Sequence, residues 1–299
     1  MLSLHQVAGP QALPYCAFTY PAYRARLVDA KGADALPTIA VAATVGGVPV
    51  GLIYAHRSLP TSPARILSLF VDGQHRRRGI GAALLGRLQE LMQATGEPLL
   101  TIEYPQLRYG EALASALTRA GWPTSRVYSR HFRMDMSALA GCDWIDRVGT
   151  PPRFALVPWD ALRPGQIEVV DAHDEPGFIP HHAPDQRGTS IARTCSVAAL
   201  DGERIAGWSI LDWQGEHTLC FRSLYVRAAW RRFALGPALA AQTARQVLAT
   251  PAVTSCLIEV AAANLTMRKV VRRMIEPTQP AVTPYMVAEL ALPPRAFPD

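Results

Sequence analysis

Lysine is nearly missing from this chain. Of 30 basic residues in 299, only Lys31 and Lys269 are lysines, so the formal charge of +6 comes from arginine. A charge of that size bears on solubility and on steering of anionic ligands, not on fold. Cysteine is sparse too: Cys16, Cys142, Cys195, Cys220 and Cys256 are odd in number, scattered, and form no CxxC pair or zinc-finger spacing with histidine. They read as reduced thiols of a cytoplasmic protein. No Lys-Ser or Lys-Thr pair occurs, which removes the P-loop pattern GxxxxGK[ST]. The opening MLSLHQVAGPQ has no basic start followed by an apolar run, so it does not read as a signal peptide. No polar or low-complexity tract suggests disorder, and 49% hydrophobic with 18% charged residues is an ordinary globular balance.

One uncharged run, TIAVAATVGGVPVGLIYA at 38 to 55, reaches membrane-span length. Gly46, Gly47 and Pro49 at its centre, between two valine-rich arms, favour a two-stranded hairpin. The chain length suits two domains of roughly 150 residues, and the sequence repeats itself at an offset of about 155. Ser68-Leu69-Phe70-Val71 is echoed by Ser223-Leu224-Tyr225-Val226. Five positions after each valine stands an arginine (Arg76, Arg231), and ten after it a glycine (Gly81, Gly236) opening an apolar helical run. Upstream, GGVPVGLIYA parallels DGERIAGWSILDW; downstream, LLTIEY parallels CLIEVA and sets Glu103 against Glu259. Each half reads hairpin, strand, basic loop, helix, strand, helix, strand. The fold class expected is mixed α/β (α+β): two tandem lobes, each with a mixed central sheet flanked by helices. Residues 1–140 form the first lobe, 141–153 a linker with Gly and paired Pro, and 154–299 the second.

The stretch HRRRGIGAA at 75 to 83 joins a strand to a helix whose Leu84, Leu85, Leu88, Leu91 and Met92 share one apolar face. Amides at a helix N-terminus lack internal partners and sit at the positive end of the dipole, so such a loop can hold phosphate. Glycine lets the backbone approach closely, and arginine neutralises the remaining charge. A dinucleotide fingerprint GxGxxG fits poorly, because Leu84 stands where the third glycine belongs. A nucleic-acid patch calls for further basic clusters, and the following helix adds only Arg87 in its first turns.

Val71-Asp72-Gly73-Gln74-His75-Arg76-Arg77-Arg78-Gly79-Ile80-Gly81 resembles the acyl-CoA loop of the GNAT superfamily of N-acyltransferases, Gln/Arg-x-x-Gly-x-Gly/Ala after a strand. The resemblance extends over most of both halves. It implies that acetyl-CoA, or another acyl-CoA, is the cosubstrate, with Arg76, Arg77, Arg78, Gly79, Ile80, Gly81 and Ala82 around its pyrophosphate and the pantetheine arm between two splayed strands. It implies backbone N–H groups around Phe70 and Val71 as thioester oxyanion donors. In the second lobe it assigns Val226, Arg231, Gly236 and Asn264 to the cofactor, although Ala234 and Pro237 depart from the pattern. Pro237 removes an amide from the helix's first turn, so the better cofactor site is expected in the first lobe.

The implied reaction is acyl transfer to a primary amine by direct attack on the thioester. Glu103 is either the base or structural support, and Glu259 carries the same choice. The family's tyrosine acid would fall at Leu117 and Val271, leaving Tyr104 and Tyr109 as substitutes. His56, at the end of GLIYAH, reads as a solvated loop residue before a base. His181-His182 with Asp185 suggest no complete ligand set, and no metal is expected. The acceptor expected is a small-molecule or peptide amine, with no nucleic-acid or membrane partner, for a cytoplasmic monomer or homodimer. The alternative is a noncatalytic acyl-CoA-binding or scaffolding protein.

Overall fold

A computed structural model describes residues 1–29, 37–59, 62–168, 175, 178 and 191–293. In chain order the elements are β1 (Leu2–Gln6), a 3-10 helix (Gly9–Phe18), α1 (Pro21–Val28), β2 (Thr38–Val45), β3 (Val48–His56), β4 (Ala64–Val71), α2 (Ile80–Ala94), β5 (Leu99–Pro105), α3 (Gly110–Arg119) and β6 (Arg126–Asp135). There follow α4 (Met136–Ala140), α5 (Trp144–Arg147), β7 (Ala155–Pro158), α6 (Pro164–Glu168), β8 (Val197–Asp201), β9 (Arg204–Trp213), β10 (Thr218–Val226), α7 (Leu235–Leu248), β11 (Ser255–Ala261), α8 (Leu265–Met274) and β12 (Ala281–Ala291). The hairpin expected at 38 to 55 is β2–β3, turning at Gly46 and Gly47, both at positive φ (59° and 83°), where a side chain would be strained.

The chain divides into two compact units. The first unit's sheet runs β1-β2-β3-β4-β5-β12 and the second's runs β7-β8-β9-β10-β11-β6. Pairing is antiparallel throughout, except that β4 and β5, and likewise β10 and β11, are parallel. The last strand of each sheet therefore comes from the other half of the sequence. Grouped by contact, the units are Met1–Tyr128 with the stretch from Pro284 onward, and Ser129–Thr283, a division that differs from the expected boundaries at 140 and 154. The stretch expected as a linker is built into the second unit, where Cys142 and Ile145 are buried with Val247 and Val271. A chain that buries those side chains cannot act as a free tether.

In the first unit α2 supplies Leu84, Leu85, Leu88 and Met92 to one face of the sheet, as the periodicity predicts, while Leu91 is only partly buried. The 3-10 helix and α1 cover the other face with Ala12, Tyr15 and Leu27. Gly51 lies opposite Val71, and a Cβ there would stand 2.7 Å from the Phe70 carbonyl oxygen. Gly207 repeats this opposite Val226, 2.6 Å from the Tyr225 oxygen. Only glycine permits so close an approach.

Glu97, after α2, ties that helix to the end of β3. Its carboxylate accepts from Arg57 Nε at 2.8 Å, from the Ser58 amide at 3.1 Å and from the Ser58 hydroxyl. Burial pushes its pKa up, but the Ser58 hydroxyl and the Arg57 guanidinium outweigh burial and hold it below the ordinary carboxylate range.

Gly51→Ala should destabilise the protein by about 1–3 kcal/mol through overpacking. Gly86→Ala, in α2 with open space around it, should stabilise it by about 0.5–1 kcal/mol; denaturant unfolding reads both. Because the folded pKa of Glu97 is depressed, its contribution is full above the unfolded pKa and is lost as pH falls through the folded one. Wild type should thus lose stability below about pH 5, and Glu97→Gln should be less stable at neutral pH with a flatter acid limb in thermal melts.

Candidate functional site

In the first unit the parallel pairing of β4 with β5 covers Ala64–Ile66 against Leu100–Ile102, although both strands run on. The cause lies on the other side of β4, where Tyr54 pairs with Ser68 but Ala55 with Ile66, leaving Leu67 as a bulge. A bulge adds a residue and bends its strand, so the rest of β4 leaves β5 and opens a gap. The second unit repeats the arrangement: β10 pairs β11 only through Phe221/Ile258, and Arg222 is the bulged residue against β9.

Beyond β4 the Asp72 carboxylate accepts from the Gln74 amide and pairs with His75 Nδ1, each at 2.9 Å. The His75 hydrogen bond holds Asp72 below the usual carboxylate range. Arg76 Nε donates to the Val71 carbonyl at 3.0 Å, and its guanidinium lies 4.8 Å over the ring of Tyr109. Arg77 (φ 62°) and Gly79 (φ 79°) are left-handed, and Gly79 starts α2 with no side-chain cap. The first three helical residues are then Ile80, Gly81 and Ala82, whose amides have no acceptor within the helix. Arg76, Arg77, Arg78 and Gly79 are exposed around them. Dipole, open amides and guanidinium groups together suit a diphosphate.

Strand alternation selects among the expected oxyanion donors. The Asp72 amide donates to the Val50 carbonyl on β3, so the Phe70 amide faces β3 as well, whereas those of Val71 and Leu69 face the gap. Leu69 escapes sequence reading because donor direction depends on the bulge at Leu67.

Glu103 forms an ion pair with Arg65 of β4 at 2.8 Å. Leu100, Ile102 and Tyr104 belong to the core beneath α2, so Glu103 lies on the opposite face. Tyr104 is buried at 6% exposure in the core beneath α2, and its hydroxyl donates to Ser125 Oγ at 2.8 Å. Tyr109 is 59% exposed and stacked with Arg76 beside the loop. Leu117 and Val271 are both buried and point into core. His56 Nδ1 hydrogen-bonds the Arg57 carbonyl oxygen at 2.8 Å.

In the second unit Arg231 Nε donates to the Val226 carbonyl at 3.1 Å, repeating Arg76. Ala234 adopts the left-handed conformation of Gly79 (φ 55°) and again opens the helix without a side-chain cap. Leu235 and Gly236 keep their amides, and Pro237 has none. Asn264 caps α8, its side chain accepting from the Met267 amide at 2.9 Å. Glu175 binds Arg227 at 2.6 Å and accepts from the Ala228 amide at 3.0 Å. His181, His182 and Asp185 lie outside the described residues.

Residues 8–106 match the Acetyltransferase (GNAT) family. The chain as a whole has the tandem GNAT fold. It superposes on a tandem GNAT protein from the clavulanic acid biosynthesis pathway with a TM-score of 0.67 at 17% identity, covering 99% of this chain and 100% of that one. A GCN5-related N-acetyltransferase from Sphaerobacter thermophilus gives 0.60 at 14% identity, with 99% and 98% covered. The glucosamine N-acetyltransferase region of a fungal multi-domain GH3 beta-N-acetylglucosaminidase gives 0.66 at 12%, over 97% of this chain and 38% of that one. No curated protein matches in sequence.

Ala234 carries a Cβ in a conformation that costs an L-residue about 1–2 kcal/mol. Ala234→Gly should stabilise the protein by about 1 kcal/mol, less than the full strain because glycine also loosens the unfolded chain; denaturant unfolding checks it.

Proposed function

We propose that the protein is an acyl-CoA-dependent N-acyltransferase whose first unit binds acetyl-CoA, or another acyl-CoA, and transfers the acyl group to a primary amine. The observation that carries this reading is the gap between β4 and β5 opening beside the uncapped start of α2. The Ile80, Gly81 and Ala82 amides hold the diphosphate, with Arg76, Arg77 and Arg78 neutralising its charge. The pantetheine arm follows the gap, where amides of Val71 and Leu69 face the thioester and stabilise negative charge on its oxygen. The amine attacks the carbonyl carbon from the face of the sheet that carries Glu103, and proximity supplies much of the acceleration.

Glu103 fits a supporting role better than that of base, because its carboxylate is already neutralised by Arg65. Tyr109 steadies Arg76 at the loop, so the leaving thiolate takes its proton from the attacking amine or from water. In the second unit Val226, Arg231, Gly236 and Asn264 repeat the frame with fewer amides. A noncatalytic acyl-CoA-binding role is the second reading, favoured by the burial of Tyr104 and Leu117, which leaves no phenol beside the gap on β5 or inside α3.

Thiol release from acetyl-CoA across a panel of primary amines, alongside calorimetric binding, separates the two readings. Turnover with at least one amine is expected. Gly81→Trp should weaken acetyl-CoA binding at the first unit by about 100-fold, roughly 2.7 kcal/mol. Binding without turnover on any amine would favour the noncatalytic role.

A further inference from the structure

The second unit carries a group of titratable side chains around Glu259, the counterpart of Glu103. Arg222, the bulged residue of β10, is paired with Asp212 of β9 at 2.7 Å, their side chains 7% and 12% exposed. Two strands from Asp212, Glu259 of β11 lies opposite His131 of β6 in the register, with its Oε2 3.5 Å from His131 Nε2. Cys256, Ile258 and Val260 of β11, like Phe132 and Met134 of β6, turn into the core with Val247 of α7 and Val271 of α8. By alternation Glu259 and His131 stand on the opposite sheet face. That is the face on which Glu103 stands in the first unit, where the residue opposite it is Val287 and its ionic partner is Arg65.

The difference is chemical. A guanidinium neutralises a carboxylate and cannot take a proton near neutral pH, whereas an imidazole can. A carboxylate beside an imidazole stabilises the imidazolium formed when it accepts a proton, the logic of acid-base pairs in acyl transfer. A pair serving only to bind β6 to β11 would add little to a register those strands already share over seven residues.

We propose that the second unit is itself an acyl-transfer centre, in which His131, supported by Glu259, accepts the proton of a primary ammonium acceptor. The proposal rests on the acyl-CoA reading above, since the second unit has its own gap, its own close glycine at Gly207 and the Arg231 anchor on Val226. One N–H bond of the ammonium breaks and its proton passes to the neutral imidazole. The freed lone pair forms the C–N bond at the thioester carbonyl carbon, the C–S bond breaks, and the CoA sulfur takes a second proton from the former amine. His131 then returns its proton to solvent. Charged or titratable groups near the pair among the described residues include Arg222 and Cys220 on β10, Asp212 on β9 and Arg133 on β6. Arg222 and Asp212 offset one another, and burial, then Glu259 and Asp212, push the Cys220 thiol up to about 12, so it stays neutral.

The test uses the full chain with the first unit blocked by Gly81→Trp, following thiol release from acetyl-CoA across primary amines between about pH 5.5 and 9. Residual transfer is expected, with a rate that falls as pH drops and the imidazole becomes protonated. Adding His131→Gln should lower kcat about 100-fold with KM for acetyl-CoA unchanged, and should remove the acid limb. Glu259→Gln should lower kcat about tenfold with KM for acetyl-CoA unchanged, which provides the check if His131→Gln misfolds. Transfer by wild type that vanishes entirely in Gly81→Trp, an acid limb kept by His131→Gln, or a Glu259→Gln kcat equal to the parent's overturns the proposal and leaves the reading of the first unit standing. No transfer by wild type on any amine overturns both.

Discussion

Leu67 of β4 and Arg222 of β10 are bulged residues, at which the register against β3 and β9 shifts by one. Each is one residue too many in a strand that must otherwise match its neighbour, and the strand resolves the mismatch by bending. The bend is held from the other side by a glycine, Gly51 or Gly207, set so close to the bent strand that a methyl group would collide with its backbone. Pairing with the parallel neighbour stops where the bulge begins. The gap is therefore a consequence of strand register, lined by backbone amides with no partner strand, and the helix starting past the loop adds its own amides at one end.

Arginine surrounds both loops with positive charge, and Arg76 and Arg231 are themselves positioned. Arg76 and Arg231 both donate Nε to the carbonyl of the valine that ends the bent strand. That bond spans five residues and draws the loop back over the strand end, leaving the distal guanidinium nitrogens to other partners. In the first unit the guanidinium stacks on Tyr109; in the second it reaches Tyr225. One design thus presents an open loop in one unit and a more internally bonded loop in the other.

Much of this is legible from sequence, for identifiable reasons. Gly46-Gly47 specifies a tight hairpin, the leucines of α2 have helical spacing, and the SLFV/SLYV echo fixes equivalent strands because strand, arginine and glycine recur in register. What escapes is whatever depends on pairing across long separations. Nothing local in RVYSRHFRMD says that β6 pairs with β11, or in AVTPYMVAELA that β12 pairs with β5, since each is a β-prone segment that could extend either sheet. The boundary read from Gly and Pro at 141–153 differs from the contact division at 128/129 and 283/284 for that reason, and His131 stays invisible as a neighbour of Glu259. Tyr104 shows the same limit at one residue: its place on LLTIEY suggests access to the gap, while the parity of the strand sends it into the core beneath α2.

The central claim is that the gap between β4 and β5, with the start of α2, is an acyl-CoA site. A crystal structure of the protein grown with CoA tests it most directly. The account predicts the diphosphate within hydrogen-bonding distance of the Ile80 and Gly81 amides and the pantetheine arm running along β4 past Val71 and Leu69. CoA bound elsewhere, with those amides facing only water, would contradict it.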